Sequence, residues 1–348
     1  MFSKLQQYTY GLILVYLLGT ILHKGKDLLI PFVLAVAIWY LMNLLAHALQ
    51  SVIGRFRIAP FWSTLVVAIM LVLVLDLLVI RILSSNFAEI SKAIPGYQNK
   101  INEIIARFYK WMRWDGDPTI SALLSSLDMK SFASTVASTA TGLLSNVTII
   151  LVYLLFLFLE QSSFQMKLKA LLPDKERYDE ISTLFSHISH DIRKYLGLKA
   201  AISFITAVLS YIVMLAFGLD FASFWAILIF FFNFIPTIGS VIATLFPATI
   251  ALIQFSHAPW WMVLMVGLLI SIQLFIGNFL EPRWMGNSLN LSPIVILLSL
   301  ALWGTLWGIV GMFLCVPIMA VLVIIFSHFP ATKPLAILLS TRGHLKDV

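Results

Sequence analysis

The chain has 348 residues, of which 60% are hydrophobic and 11% charged, with a formal net charge of +7 and a mean hydropathy of +0.97. Soluble domains carry about 25% charged residues, so a water-soluble globule is excluded and a polytopic membrane protein is indicated. The positive balance does not point to nucleic acid, because the basic residues are dispersed over span ends and loops instead of covering one soluble face.

A helix needs about 20 apolar residues to cross a hydrocarbon core ~30 Å thick. On that rule residues 1–83 hold three spans, Tyr8 to Leu22, Leu28 to Ala46 and Phe61 to Leu83. The first has only Lys4 ahead of it and no small-residue cleavage site after it, so it reads as a retained anchor and not as a signal peptide. In the third, Asp76 stands well inside an apolar run. An ionisable group at such depth is costly, and it reads either as a functional carboxylate or as polar glue to another helix.

Residues 84–141 read as an outward-facing amphipathic helical segment. Ile90, Ile94, Tyr97, Ile101, Ile105, Phe108 and Met112 recur at helical spacing, interrupted only by Pro95-Gly96. Asp117 before Pro118 is a helix start signal, and Ala133, Ala137 and Thr141 give a small-residue face suited to close helix contact. The fourth span, Gly142 to Leu159, fills residues 142–160 and ends on Glu160, an interfacial anchor. In residues 161–197, Ile181, Phe185, Ile188, Ile192 and Tyr195 face away from charges, which predicts an amphipathic helix over Glu176 to Leu196 on the inner membrane surface. His187, His190 and Asp191 read as a solvated face of that helix and not as a metal site.

Residues 198–326 read as the transport core and 327–348 as a cytoplasmic tail. Leu198 to Phe217 and Trp260 to Leu280 are plain spans, but Phe221 to Phe255 and Leu291 to Phe326 are each too long for one ordinary crossing. About 34 residues at 1.5 Å each make a helix of ~50 Å. Each block is punctured near its middle, the first by Asn233-Phe-Ile-Pro236-Thr-Ile-Gly239-Ser240, the second by Trp303-Gly304 through Gly308 and Gly311 to Pro317. Folded at the break, each becomes a hairpin of two short arms. Broken apolar segments at corresponding places in two halves point to a substrate site within the bilayer.

Charge orients the chain. With the N-terminus in the cytoplasm, the inner segments hold Lys4, Arg55, Arg57, Lys167, Lys169, Lys175, Arg177, Arg193, Lys194, Lys199, Arg283, Lys333, Arg342 and Lys346. The short outer connections hold only Lys24 and Lys26, so the positive-inside rule places both termini in the cytoplasm. The two hairpins then enter from opposite faces, the arrangement of an inverted repeat.

The candidate substrate-binding residues are Asn233, Pro236, Thr237, Gly239 and Ser240 in the first break, with Asn278, Glu281 and Arg283 after the last plain span. Pro236 lacks a backbone donor and clashes with the preceding turn, which frees carbonyls near Phe232 and Asn233. Asn233, Thr237 and Ser240 add neutral donors and acceptors. Asn278 and Glu281 are three apart and share a helix face, while Pro282 tends to end the helix at Glu281. Glu281 and Arg283 are placed to pair with each other or with a neighbouring break. Asp76 and Glu281 are the candidate coupling groups. With no Gly-rich phosphate loop, no H-E-x-x-H and no G-x-S-x-G, neither a nucleotide-driven pump nor an enzyme is indicated, and no cofactor or metal. The single cysteine, Cys315, excludes an intrachain disulfide.

The run from Asn233 to Ser240, then Gly277-Asn278-Phe-Leu-Glu281-Pro282-Arg283-Trp-Met-Gly286, then Leu-Ser-Pro293 and Trp303-Gly304 to Pro317, resemble the autoinducer-2 exporter family of bacterial inner-membrane proteins. The resemblance covers nearly the whole chain, including Pro31-Phe and Pro95-Gly-Tyr97; Asp76 matches no motif of that family. It implies a multi-span transporter. Some members are described as exporters of the furanone-type quorum-sensing signal, others as sodium or lithium/proton antiporters, and the resemblance also implies homo-oligomeric assembly.

The expected fold class is therefore all-α: a polytopic transmembrane helical protein with two broken or re-entrant hairpins and the outward-facing segment. The expected function is secondary export of a small hydrophilic metabolite, with a small-molecule or ion substrate, the lipid bilayer and further copies of itself as partners, and no nucleic acid. Monovalent cation/proton exchange is the alternative within the class, and a non-transporting membrane scaffold the alternative outside it.

Overall fold

The computed structural model describes residues 4–53, 147–286, 290–341 and 343, together with residues 66, 67, 69, 70, 72–74, 77–86, 89, 90, 92, 93, 96, 97, 100 and 103. Asp76 lies outside the described residues, as do Asp117, Pro118, Ala133, Ala137, Thr141 and most of residues 84–141, the segment expected to face outward. The chain divides into two compact units, one of Met1–Leu65, Asn146–Gly197 and Asn287–Val348, the other of Val66–Ser145 and Leu198–Gly286. Among the described residues every named element is helical, and several helices are long and apolar enough to cross a membrane. The protein is an all-α polytopic membrane protein.

The first unit holds α1 (Lys4–Lys24), α2 (Lys26–Ile53), α3 (Val147–Gln161) and α4 (Phe164–Leu171). Phe32 of α2 meets Tyr153 of α3 edge-on at 5.5 Å. At the end of α3, Gln161 accepts from Trp39 Nε1, in the middle of α2, at 3.1 Å and donates to Asn43 Oδ1 at 3.4 Å. These two polar links join α2 to α3, where apolar packing by itself carries little preference inside lipid. The α3–α4 junction bends by 62°, and α4 exposes Phe164, Met166 and Leu171 beside Lys167 and Lys169. Bare apolar groups mixed with lysines on a helix that leaves the direction of the span suit the membrane surface.

The surface helix expected over Glu176 to Leu196 and the span expected from Leu198 are one uninterrupted helix, α5 (Lys175–Ala216). It passes from the first unit into the second after Gly197. Gly197 does not break it. A glycine inside a helix costs roughly 1 kcal/mol against alanine, but here its bareness admits Leu44: an added Cβ would stand 2.3 Å from Leu44 Cδ2. Tyr40 and Ser189 hydrogen-bond at 3.1 Å, tying the same two helices further back.

The second unit continues along α5 to α6 (Ala222–Phe232) and α7 (Ile238–Gln254). It then runs through α8 (Pro259–Phe275), a π-turn over Ile276–Leu280 and α9 (Glu281–Met285). α6 and α7 form a closed hairpin. At its open end Gln254 accepts from Asp220 N at 2.9 Å and donates to Gly218 O at 2.8 Å, and Trp225 and Phe232 of α6 both meet Phe246 of α7. Its core is apolar, built on Met214, Phe224, Trp225, Ile229, Ala251, Met265 and Leu269.

Tyr97 is buried in that core and donates its hydroxyl to Asp220 Oδ2 at 2.8 Å. Asp220 is exposed but bonded. Burial, then the hydrogen bond to Asp220 and its negative charge, hold the Tyr97 phenol above its ordinary pKa. Because the shift is upward in an acid, the contact is fully present below the ordinary phenol range and is lost only as pH rises through the raised value. Tyr97→Phe should therefore weaken the attachment of this segment at neutral pH by about 1 kcal/mol. Faster proteolysis around residue 97, with the transmembrane helices intact, would report it, and unchanged protection would show that the ring alone holds the segment.

The last long block, α10 (Pro293–His328), is also a hairpin, although its 36 residues run without a named break. Straight, it would measure ~54 Å. Yet Ser292 N donates to Leu339 O at 3.0 Å and Thr341 N to Asn290 O at 3.2 Å. The short stretch after His328, which includes the seven-residue α11 (Lys333–Leu339), could not reach back over such a length. The fold occurs at Gly308, whose φ of 63° and ψ of −143° are open only to glycine. Ser299 and Cys315 meet across the two arms.

The two hairpins use one device. Gly239 sits so close to the opposite arm that a Cβ would lie 1.8 Å from the Phe232 carbonyl oxygen, and at Gly311 a Cβ would lie 1.9 Å from that of Trp303. In each, a positive-φ residue makes the turn, Thr237 or Gly308. The carbonyl lies equally far ahead of it in both.

Candidate substrate site in the second unit

Asn233 caps the C-terminal end of α6 and is buried, 6% exposed. Its Nδ2 donates to Ser203 Oγ on α5 at 3.1 Å. The rest of the break turns inward on itself. The Phe232 carbonyl, expected to be freed by Pro236, accepts Ile235 N at 2.9 Å and is covered by Gly239. Thr237 donates to Pro236 O at 2.7 Å, and Ser240 to Thr237 O at 3.0 Å. Thr237 holds φ 57° and ψ −55°, a conformation that is strained for a β-branched residue. Pro236, Thr237, Gly239 and Ser240 thus shape the turn, and Asn233 is the residue that reaches another helix.

On α9, Glu281 accepts a hydrogen bond from Lys199 Nζ of α5. Lys199 is 4% exposed, and the Glu281 side chain 28%. A buried charge without a partner costs several kcal/mol, so each makes the other tolerable in an apolar setting. Pro282 does not end the helix as expected. The π-turn adds a residue to the coil just ahead of it, and Pro282 falls in the first turn of α9, where a missing N–H is harmless. The chain stops being helical at Gly286, with φ 52°.

The π-turn also separates residues that α-helical spacing would stack. Asn278 is exposed and does not join Glu281. Arg283 is exposed and makes no ion pair among the described residues. Glu281 pairs across 82 residues with Lys199 instead of with Arg283.

What unites the two clusters is α5. Lys199 and Ser203 are four residues apart and so stand one turn apart on one face, the first holding Glu281, the second holding Asn233. Neither was picked out from the sequence. Lys199 reads there as one more basic residue at a span edge. Their common helical face was the available signal.

The chain matches the AI-2E family transporter model over residues 10–331. The chain belongs to that family. It is 30% identical over 336 residues to the AI-2 transport protein TqsA of Escherichia coli K12, covering 95% of this chain and 94% of that one. It is 34% identical over 262 residues to a protein of Borreliella burgdorferi, covering 74% and 70%. YhhT of Escherichia coli K12 is 27% identical over 324 residues, covering 91% and 89%. The chain is thus a membrane protein of a transporter family, and its TqsA relative is named for transport and not for catalysis.

Proposed function

We propose that this AI-2E family protein is a secondary transporter that exports a small hydrophilic metabolite of the autoinducer-2 type and so serves quorum sensing. The observation that supports the reading is the pairing of Lys199 with Glu281 and of Asn233 with Ser203 on one face of α5. Polar groups in membrane helices are costly and are retained where a substrate passes. This cluster is electrically balanced, which suits a neutral hydrogen-bonding solute better than a bare ion. The name of the TqsA relative supplies the substrate type.

In this reading the protein lies in the inner membrane with both termini cytoplasmic and assembles as a homo-oligomer. Monovalent cation/proton antiport is the second reading, and the part-exposed Glu281 carboxylate is the feature that favours it.

Purified protein in liposomes separates the readings. Labelled autoinducer-2 should move down its gradient, without nucleotide, faster than in empty vesicles. Sodium or lithium flux driven by a pH step, with no movement of the labelled signal, would replace export with antiport. Neither flux from a correctly inserted protein would leave the scaffold.

A further inference from the structure

The face of α5 that carries Lys199 and Ser203 continues as Thr206 and Ser210, at helical spacing, and all four are buried. Phe204, Val208, Leu209, Ile212 and Leu215 occupy the exposed face of the same helix. Thr206 returns its hydroxyl to Ile202 O at 2.8 Å, the usual refuge of a hydroxyl in a helix. Ser210 does not. It is 1% exposed, and its Oγ has no hydrogen-bond partner among the described residues. An orphaned buried hydroxyl is destabilising, and lipid offers no water to relieve it.

A second orphan points the same way. Lys199 meets Glu281 at one end of this stretch, and Phe217 packs on Trp261 at 5.4 Å at the other. The second half of α5 therefore runs antiparallel beside α8 and α9. Gln273 lies about two turns from Glu281, and Thr206 about two turns from Lys199, which sets Gln273 level with Thr206. The buried Nε2 of Gln273 also has no hydrogen-bond partner among the described residues.

We propose that Ser203, Thr206, Ser210 and Gln273 form a hydroxyl-binding wall that takes a neutral polyhydroxylated molecule. Such a solute offers an oxygen to the Gln273 N–H and either a donor or an acceptor to the Ser210 hydroxyl. A cation does not fit as well, because the carboxylate at the head of the wall is neutralised by Lys199. The proposal rests on the export reading above and adds to it the place and chemistry of binding.

The test uses the full chain in liposomes, with Cys315 replaced by serine and single cysteines introduced. Ser210→Cys should react with a small charged thiol reagent, and autoinducer-2 should slow that reaction about tenfold, whereas Val208→Cys on the exposed face should stay unreactive. In transport, Ser210→Val and Gln273→Leu should each raise the half-saturating concentration roughly tenfold, with Ser210→Thr near wild type. Should Ser210→Cys fail to insert, Gln273→Cys serves the same comparison. An unreactive cysteine, or a reactive one that the signal does not protect, overturns the wall while wild-type export still stands. Unchanged half-saturation in both transport variants overturns it equally. Absence of export by the wild-type protein removes the functional reading and the wall together.

Discussion

Replacing Lys199 by methionine should destabilise the protein by about 3 kcal/mol and deplete it from the membrane, whereas Lys199→Met combined with Glu281→Leu should recover most of the folded protein. Removing Lys199 alone strands the Glu281 carboxylate that it holds. Removing both leaves apolar groups in an apolar setting. The figure sits at the low end for a buried pair because Glu281 is part-exposed, and water reaching it softens the penalty. Thermal unfolding in detergent gives the stability, and flux in liposomes gives the function. A double variant no more stable than the single one would show that the pair contributes through something other than charge compensation. If the pair also serves transport, the double variant should fold and still fail to carry the substrate.

Gly239→Ala and Gly311→Ala should each open a hairpin, at a cost above about 4 kcal/mol. At both positions the added Cβ would lie under 2 Å from a backbone carbonyl oxygen, 1.8 Å from that of Phe232 and 1.9 Å from that of Trp303. A backbone group cannot swing aside as a flexible side chain can, so the two arms must part. Gly267→Ala on α8 is the control, since nothing lies within 4 Å of its Cβ position. There the change should be neutral or stabilise slightly, because alanine is the better helix former. Membrane abundance and unfolding temperature decide the matter: Gly239→Ala as stable as Gly267→Ala would mean that the arms do not approach as described.

The hairpins were legible because proline and glycine act on their own stretch of backbone, wherever the rest of the chain lies. The first break contains Pro236 and Gly239, the second Gly308 and Gly311, and a block too long for one crossing announces the fold by length alone. The role of each break residue was less legible. Pro236 was expected to free a carbonyl for a ligand, but the Phe232 oxygen is taken by Ile235 N, a local turn that the one-dimensional pattern does not reveal.

Local rules also misjudged two boundaries. Gly197 was read as the edge between a surface helix and a span, and Pro282 as a helix end. α5 runs through the first because Leu44 fills the space left by the missing Cβ, and the helix persists past the second because a π-turn precedes it. In each case a neighbour, or a change of helical pitch, outweighed a propensity of roughly 1–3 kcal/mol.

Composition, span length and the positions of proline and glycine determined by themselves that this chain is a helical membrane protein with two folded-back blocks, since hydrophobicity and backbone restriction are properties of each residue in place. Only the tertiary structure decided that Glu281 answers to Lys199 and Asn233 to Ser203, bringing the two polar clusters to one face of α5. An apolar helix face looks the same in sequence whether it meets lipid or another helix. Which buried polar group finds which partner depends on helices distant in sequence lying side by side, and that is fixed by packing.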